Sequence, residues 1–210
     1  MHVLVVANGD TSSRGLMREL AGRAAMIVAA DGGADRALSV GLTPAYVVGD
    51  LDSVSQTARA LLPASAFVHT PDPDSTDLQK AVRFAIDEGA TSIDIVCAGG
   101  GRMDHLVANL SLLPLSRGGP PVHLHDDAFE VSLVEGTTAI AGPAGTVISL
   151  LAIGQCSGVT TSGLRWDLHD YPLAFSPYGV HNEIASQPAS VRVATGDLLL
   201  FRGRWVEHHG

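Results

Sequence analysis

Cysteine is scarce in this chain. Cys97 and Cys156 are the only two among 210 residues. They are too few for a disulfide framework, and both read as small buried hydrophobes. Long apolar runs are missing as well. The longest, such as 3–7 and 26–30, are strand-length and far short of the roughly 20 residues that a membrane-spanning helix needs. No basic start and no cleavage site of a secretory signal precede the first apolar run, so a cytoplasmic protein is expected, with no membrane partner. Basic charge is in deficit. Thirteen Lys and Arg stand against 22 Asp and Glu, a formal net charge of −9. An acidic surface repels a polyphosphate chain, which argues against nucleic acid as a partner. A single nucleotide carried with Mg²⁺ is still compatible, because the ion inverts the local field. There is no internal repeat and no low-complexity tract.

What is present reads as two halves. Apolar strand-like runs occur at 3–7, 25–30, 45–48, 66–69, 93–97 and 122–124, and helix-like segments at 14–21, 34–40, 55–62, 76–88 and 103–113 lie between them. Short, continuously apolar strands alternating with helices predict an α/β fold, a mostly parallel sheet covered on both faces. The helix from Thr76 is the clearest: Leu78, Ala81, Val82, Ala85 and Ile86 form one stripe, with Asp74 as the expected N-cap and Gly89 as the stop. Past about residue 126 helical periodicity ends. Strands are expected at 129–134, 139–141, 146–152, 159–162, 190–194 and 198–202, separated by turn signals such as Ser157-Gly158 and Thr195-Gly196-Asp197. The second half therefore reads as an antiparallel β-sandwich. The expected domains are 1–126 and 127–210. His208 and His209, near the end, receive no role.

The chemistry-bearing residues recur at the ends of the expected strands of the first half, where open α/β sheets bind ligands. Asp31-Gly32-Gly33-Ala34 permits close backbone approach and leads into a helix N-terminus. In Gly49-Asp50-Leu51-Asp52-Ser53 the two carboxylates alternate with Leu51. An extended chain would point both to one side, as a Mg²⁺ site with hard oxygen ligands requires. Asp72-Pro73-Asp74-Ser75-Thr76-Asp77 crowds three carboxylates into six positions, a density that is costly without a cation. Gly99-Gly100-Gly101-Arg102-Met103-Asp104-His105 makes a glycine-rich cradle with Arg102 as its clamp, and it lacks the Gly-Lys-Ser/Thr of a P-loop. Each cluster alone has an ordinary explanation as a turn or a helix cap. Together they point to Mg²⁺-supported transfer of a phosphate-containing group.

At these motifs the chain resembles the thiamin pyrophosphokinase family. That family is marked by an Asp-Gly-Gly-Ala turn, a Gly-Asp-x-Asp-Ser motif, an Asp-x-Thr-Asp helix start and a Gly-Arg-x-Asp segment, in this order. Further on, Gly163-Leu164-Arg165-Trp166 is similar to the family's Gly-Leu-Lys-Trp/Tyr stretch, and Asn182-Glu183 to its Ser-Asn element. The resemblance implies a nucleotide-binding catalytic domain followed by a thiamin-binding β-sandwich, paired as a homodimer with active sites between subunits. It also implies transfer of the diphosphate of ATP, as co-substrate, to the hydroxyl of thiamin, giving thiamin diphosphate and AMP. By the same resemblance Asp50, Asp52 and Asp77 hold Mg²⁺. Asp31, Gly32, Asp74, Thr76, Gly100, Arg102 and Asp104 line the nucleotide and substrate site. Trp166, with His181 and Asn182, meets thiamin, a flat cation suited to the face of an indole.

Two departures bear on the acceptor. Pro73 stands where the family has Lys or Gln, and Gly179-Val180-His181-Asn182 stands where a Ser-rich element is expected. The alternatives are a diphosphokinase acting on another alcohol such as a pterin, a metal-dependent glycosyltransferase reading Asp50-Leu51-Asp52 as its DxD pattern, and a non-catalytic nucleotide-binding module.

Overall fold

The computed structural model describes residues 1–10 and 12–206; His208 and His209 lie outside them. The chain divides into two compact units, Met1–Asp127 and a second that starts at Ala128.

In the first unit strands and helices alternate: β1 (His2–Val6), α1 (Arg14–Ala21), β2 (Met26–Ala30), α2 (Gly33–Ser39), β3 (Tyr46–Gly49), α3 (Gln56–Leu61), β4 (Phe67–His69), α4 (Asp77–Asp87), β5 (Ser92–Val96), α5 (Met103–Leu115) and β6 (Val122–His125). All pairings among the six strands are parallel, in the order β4-β3-β2-β1-β5-β6. The order runs outward from β1 in both directions. The carboxyl ends of β1 and β5 therefore flank a switch point, where such sheets open a crevice.

Helices cover the sheet because each presents one apolar stripe. In α1, Leu16, Met17 and Leu20 pack with Leu4, Val6 and Val96. In α4, Leu78, Ala81, Val82 and Ala85 are buried as their spacing predicts, whereas Ile86, at the end of the same stripe, is exposed. The expected cap of α4 is corrected. Thr76, not Asp74, is the N-cap, its hydroxyl accepting from the Gln79 N–H at 3.2 Å. Asp74 sits two residues too early and belongs to a turn in which its own N–H donates to Asp72 Oδ1 at 3.0 Å.

The second unit is antiparallel throughout: β7 (Phe129–Leu133), β8 (Thr137–Ile140), β9 (Thr146–Ser162), β10 (Tyr171–Ala174), β11 (Asn182–Glu183), β12 (Ala189–Arg192) and β13 (Thr195–Val206). The expected strands 146–152 and 159–162 are one continuous strand, β9. The Ser157-Gly158 signal does not end it, because Gly154 and Gly158 take positive φ inside the strand while its edges pair with β13, β10 and β12. Residues 195–197, expected as a turn, begin β13 at a register shift. The core gathers Ile140, Ile148, Leu150, Val159, Val191, Leu198 and Leu200 from four of these strands, the filling expected of a β-sandwich.

Candidate active site

At the switch point the first and fifth strand-to-helix loops are laced together. Gly9 N–H donates to Cys97 O at 2.7 Å, and Asp10 N–H donates to Gly99 O at 2.9 Å. A Cβ on Gly9 would stand 2.0 Å from Gly99 O, so only glycine allows this approach. A cleft of about 330 Å³ opens here; its walls include Asn8, Gly9, Asp31, Thr76, Asp77 and Gly100, with Arg102 and His105 also on the lining. Three non-glycine residues at the strand ends take positive φ: Asp31 (46°) after β2, Leu51 (66°) after β3 and Cys97 (57°) after β5. Of these, Asp31 and Cys97 line the cleft, and strained backbone at a crevice points to a position held for function.

The acidic centre of the site comprises Asp31, Asp50 and Asp77, whose ligand oxygens lie within 4.8 Å of one another. Each arrives from a different element: Asp31 from the end of β2, Asp50 from the end of β3, and Asp77 from the first turn of α4. Asp31 is buried. Its Oδ2 accepts from Ser53 N–H at 3.1 Å, while its Oδ1 is buried with no hydrogen-bond partner. Burial pushes its pKa up, against the Ser53 hydrogen bonds, and the charges of Asp77 and Asp50 push the same way. Asp77 Oδ1 accepts from Lys80 Nζ at 3.0 Å and from Asp50 N–H at 3.3 Å. Lys80 is the only lysine of the chain and is buried. A divalent cation fits this donor set. Three carboxylates converge, one buried oxygen lacks a partner, and hard oxygens are what Mg²⁺ takes.

Asp52 lies outside that cluster. Leu51 adopts the left-handed conformation and packs its side chain among Ala29, Val47 and Ala58. The chain is thus not extended at 50–52, and of the two carboxylates only Asp50 belongs to the converging set. Asp52 Oδ1 instead accepts from Ser53 Oγ at 2.8 Å, and its N–H donates to Asp50 Oδ1 at 3.2 Å.

Gly32 is the N-cap of α2, and a Cβ there would meet the Asn8 side-chain amide at 2.4 Å, so Asn8 would have to move to admit a side chain. Gly100 needs its φ of 81° to turn the loop beside Asp10. Thr76 lines the cleft, whereas Asp74 is exposed and off its lining. Arg102 lines the cleft and forms a two-pronged pair with Asp104, at 3.1 and 2.6 Å. Both side chains are largely exposed. The hydrogen bond from Arg102 holds the Asp104 carboxyl down at about 2. His105 and Asn109 share the helix face with Arg102; Asn109 is buried and donates to Ala98 O at 2.7 Å.

The second unit carries its own group. Asn182 and Trp166 are tied backbone to side chain in both directions: Trp166 N–H donates to Asn182 Oδ1 at 3.2 Å and Asn182 Nδ2 donates to Trp166 O at 2.8 Å. Trp166 is 55% exposed as a residue, and its ring carries the Arg165 guanidinium 5.0 Å from its centroid, so its face already accepts a cation. His181 takes a φ of 67° and donates its N–H to Ser149 Oγ at 3.0 Å. Two features of the first unit escape a reading of motifs: the Asn8-Gly9-Asp10 loop and Lys80. The loop carried a signal, a glycine between polar residues directly after the first strand. Lys80 carried none, since a lysine on a helix is ordinarily solvated.

A parallel sheet with a carboxylate-centred, glycine-walled cleft at its switch point defines an α/β protein of the class that binds its ligands beyond the carboxyl ends of the strands. Known proteins narrow this. A family profile described as "Thiamin pyrophosphokinase, catalytic domain" matches residues 17–119, and one described as "Thiamin pyrophosphokinase, vitamin B1 binding domain" matches residues 137–200. The chain belongs to the thiamin pyrophosphokinase family. "Thiamine pyrophosphokinase 3" of Oryza sativa subsp. japonica is 28% identical over 89% of this chain and 81% of that protein. "Thiamine pyrophosphokinase" of Bacillus subtilis (strain 168) is 32% identical over 41% of this chain and 42% of that protein. The crystal structure of thiamin pyrophosphokinase from Geobacillus thermodenitrificans superposes with a TM-score of 0.84 over 98% of both chains at 23% identity, a likeness of fold.

Proposed function

We propose that the protein transfers the diphosphate of ATP to the hydroxyl of thiamin, giving thiamin diphosphate and AMP. The observation that carries this reading is the convergence of Asp31, Asp50 and Asp77 around a buried, unpartnered carboxylate oxygen at the switch point. Asp31, Asp50 and Asp77 would hold Mg²⁺, with Asp52 shaping the loop through Ser53. When bound, the ion supplies neutralising charge to the phosphate oxygens.

The chain's own residues do the rest. The glycine-lined loops at 9 and 99–101 allow a phosphate to approach backbone N–H groups. Thr76 caps α4 and so aims Asp77. Lys80 holds Asp77 by one oxygen. Arg102, exposed on the cleft wall, is placed to shift from Asp104 to a phosphoryl group, where a charge-assisted fork contributes most. The thiamin oxygen bonds to the β-phosphorus as the bond to the AMP oxygen breaks; the hydroxyl proton passes to a cleft carboxylate late in the step. Trp166 of the partner subunit, framed by His181 and Asn182 of that subunit, stacks on the thiamin cation in a homodimer.

An apolar face on α5 supports pairing: Met103, Leu106 and Val107, at i, i+3 and i+4, are all exposed. Residues 1–126 then form the catalytic domain and 127–210 the thiamin-binding one, acting in the cytoplasm where ATP and Mg²⁺ are plentiful. Among the described residues no helix is long and apolar enough to cross a membrane.

The test is AMP formation from ATP and Mg²⁺ with thiamin, with a pterin alcohol, and with neither. Thiamin-dependent AMP is expected, falling by at least roughly 100-fold in Asp50→Asn, as loss of an electrostatic group at a transferring phosphoryl centre does. Asp52→Asn should lose much less. Turnover only with the pterin, or equal losses in both variants, would reject the substrate or the metal set respectively.

A further inference from the structure

A second cluster of chemistry-bearing side chains lies in the first unit, and none of its members lines the cleft. Asp94 is at the middle of β5. His123 and His125 lie on β6, and His2 begins β1. Strand register brings them together. Asp94 is directly opposite His123, and His2 is opposite Ser92, two residues before Asp94. His123 and His125 are separated by one residue on a strand, so both rings emerge on one face, the face of Asp94.

The contacts are close. His125 Nε2 lies 2.9 Å and His123 Nδ1 3.5 Å from the same oxygen, Asp94 Oδ1. All three ligand atoms lie within 4.8 Å of one another. His2 Nε2 lies 3.1 Å from the other oxygen, Oδ2, and its Nδ1 lies 2.7 Å from Ser92 Oγ. Asp94 and His125 are buried, while His123 is 37% exposed at its side chain and gives solvent a way in. Burial works against an ionised Asp94, but hydrogen bonds to His123 and His125 and the nearby imidazole charges outweigh it and hold the carboxyl well below its usual range.

We propose that Asp94, His123 and His125 form a binding site for a divalent transition metal of the zinc class, with His2 as a positioning residue. Two imidazole nitrogens and one carboxylate oxygen are the ligand set such ions take, leaving a fourth position for water. Ligands about 2.0–2.1 Å from a tetrahedral ion stand about 3.3 Å apart, and the 2.9 and 3.5 Å separations bracket that spacing. Magnesium, which wants oxygen, is excluded by the imidazoles. His2 donates to Asp94 Oδ2 while Ser92 fixes its ring. This is the outer-shell support that holds a carboxylate ligand in place. A bound ion would clamp β5 to β6, and through His2 to β1. The two cation sites are thus of different classes, hard oxygen at Asp31, Asp50 and Asp77, and mixed nitrogen and oxygen here.

The experiment is equilibrium dialysis of the full chain against Co²⁺ in buffer saturated with Mg²⁺, read by metal content and by the visible absorption of tetrahedral cobalt. Wild type is expected to bind one equivalent more than His123→Ala, with the visible bands present only in wild type. His123 is partly exposed, so its removal should leave the circular dichroism unchanged. His2→Gln should weaken the site about tenfold, and Asp50→Asn should leave it intact. Equal Co²⁺ content in wild type and His123→Ala, or visible bands lost in Asp50→Asn but kept in His123→Ala, would overturn the proposal.

Discussion

Asp31 carries the most stressed side chain in the cleft. It is buried, its Oδ1 has no hydrogen-bond partner, and two like charges stand close by. Its raised pKa has a defined sign: the protonated form suits the fold, and stability is lost as pH rises from the ordinary carboxylate range through the raised value. Asp31→Asn should therefore raise thermal stability in EDTA by roughly 1 kcal/mol, since the amide removes a buried charge set beside two like charges and a pKa displaced by one corresponds to about 1.4 kcal/mol. In the same variant Mg²⁺ should no longer raise the melting temperature, whereas wild type at 100 times the dissociation constant gains about 2.7 kcal/mol. Differential scanning calorimetry with and without Mg²⁺ checks both. Trp166 is the second residue whose environment is legible. Its exposed ring already carries Arg165 at 5.0 Å. Trp166→Ala should lower kcat/KM for thiamin about tenfold, a cation–π contact being worth up to about 2 kcal/mol when desolvated. ATP affinity measured without thiamin should not change; a matching loss there would mean that the ring supports the fold and not the acceptor.

Among the elements, the strand-to-helix loops set the geometry. The loop between β2 and α2 makes its turn against β1: a Cβ on Gly33 would stand 2.1 Å from Val6 O. No flexible side chain is there to yield. Gly33→Ala should thus cost about 3 kcal/mol in urea unfolding, the upper range for overpacking, and should displace Asp31 two residues away. A cost under about 1 kcal/mol, the price of an ordinary surface change, would show that the loop shifts freely. Helices and most strands of the first unit were legible from apolar spacing alone, because each is read within its own segment. The exceptions have local causes. The cap of α4 moved from Asp74 to Thr76 because Asp74 N–H is engaged by Asp72. Strand β9 ran through an apparent turn because two glycines with positive φ let it continue between partners.

Across the whole molecule, net charge and apolar surface act on different partners. A net charge of −9 keeps polyanions away, while a cleft built of carboxylates needs a cation before it can receive a phosphate. The exposed Met103, Leu106 and Val107 face of α5 has the spacing of a buried stripe without a cover inside the chain. Val107→Asp should convert the proposed dimer to monomer in size-exclusion chromatography with light scattering, and reduce thiamin turnover if Trp166 acts across subunits. A wild-type chain that runs as a monomer at micromolar concentration would remove that interface.

The alternation of strand and helix, the change to an antiparallel half near residue 126, and the acidic or glycine-rich motif after each of several strands follow from spacing along the chain, where each signal needs only its near neighbours. Which carboxylates meet did not follow. Asp50 and Asp52 look paired in one dimension, yet Leu51 turns left-handed into the core, and of the two only Asp50 falls in the converging set. Asp31, 19 positions earlier, takes the place beside Asp50 and Asp77 because β2 and β3 are neighbours in the sheet. The Asn8-Gly9-Asp10 loop and the Asp94, His123 and His125 cluster likewise exist only once β1, β5 and β6 lie side by side. Strand order is set by the packing of all the elements at once, so no local pattern can encode it.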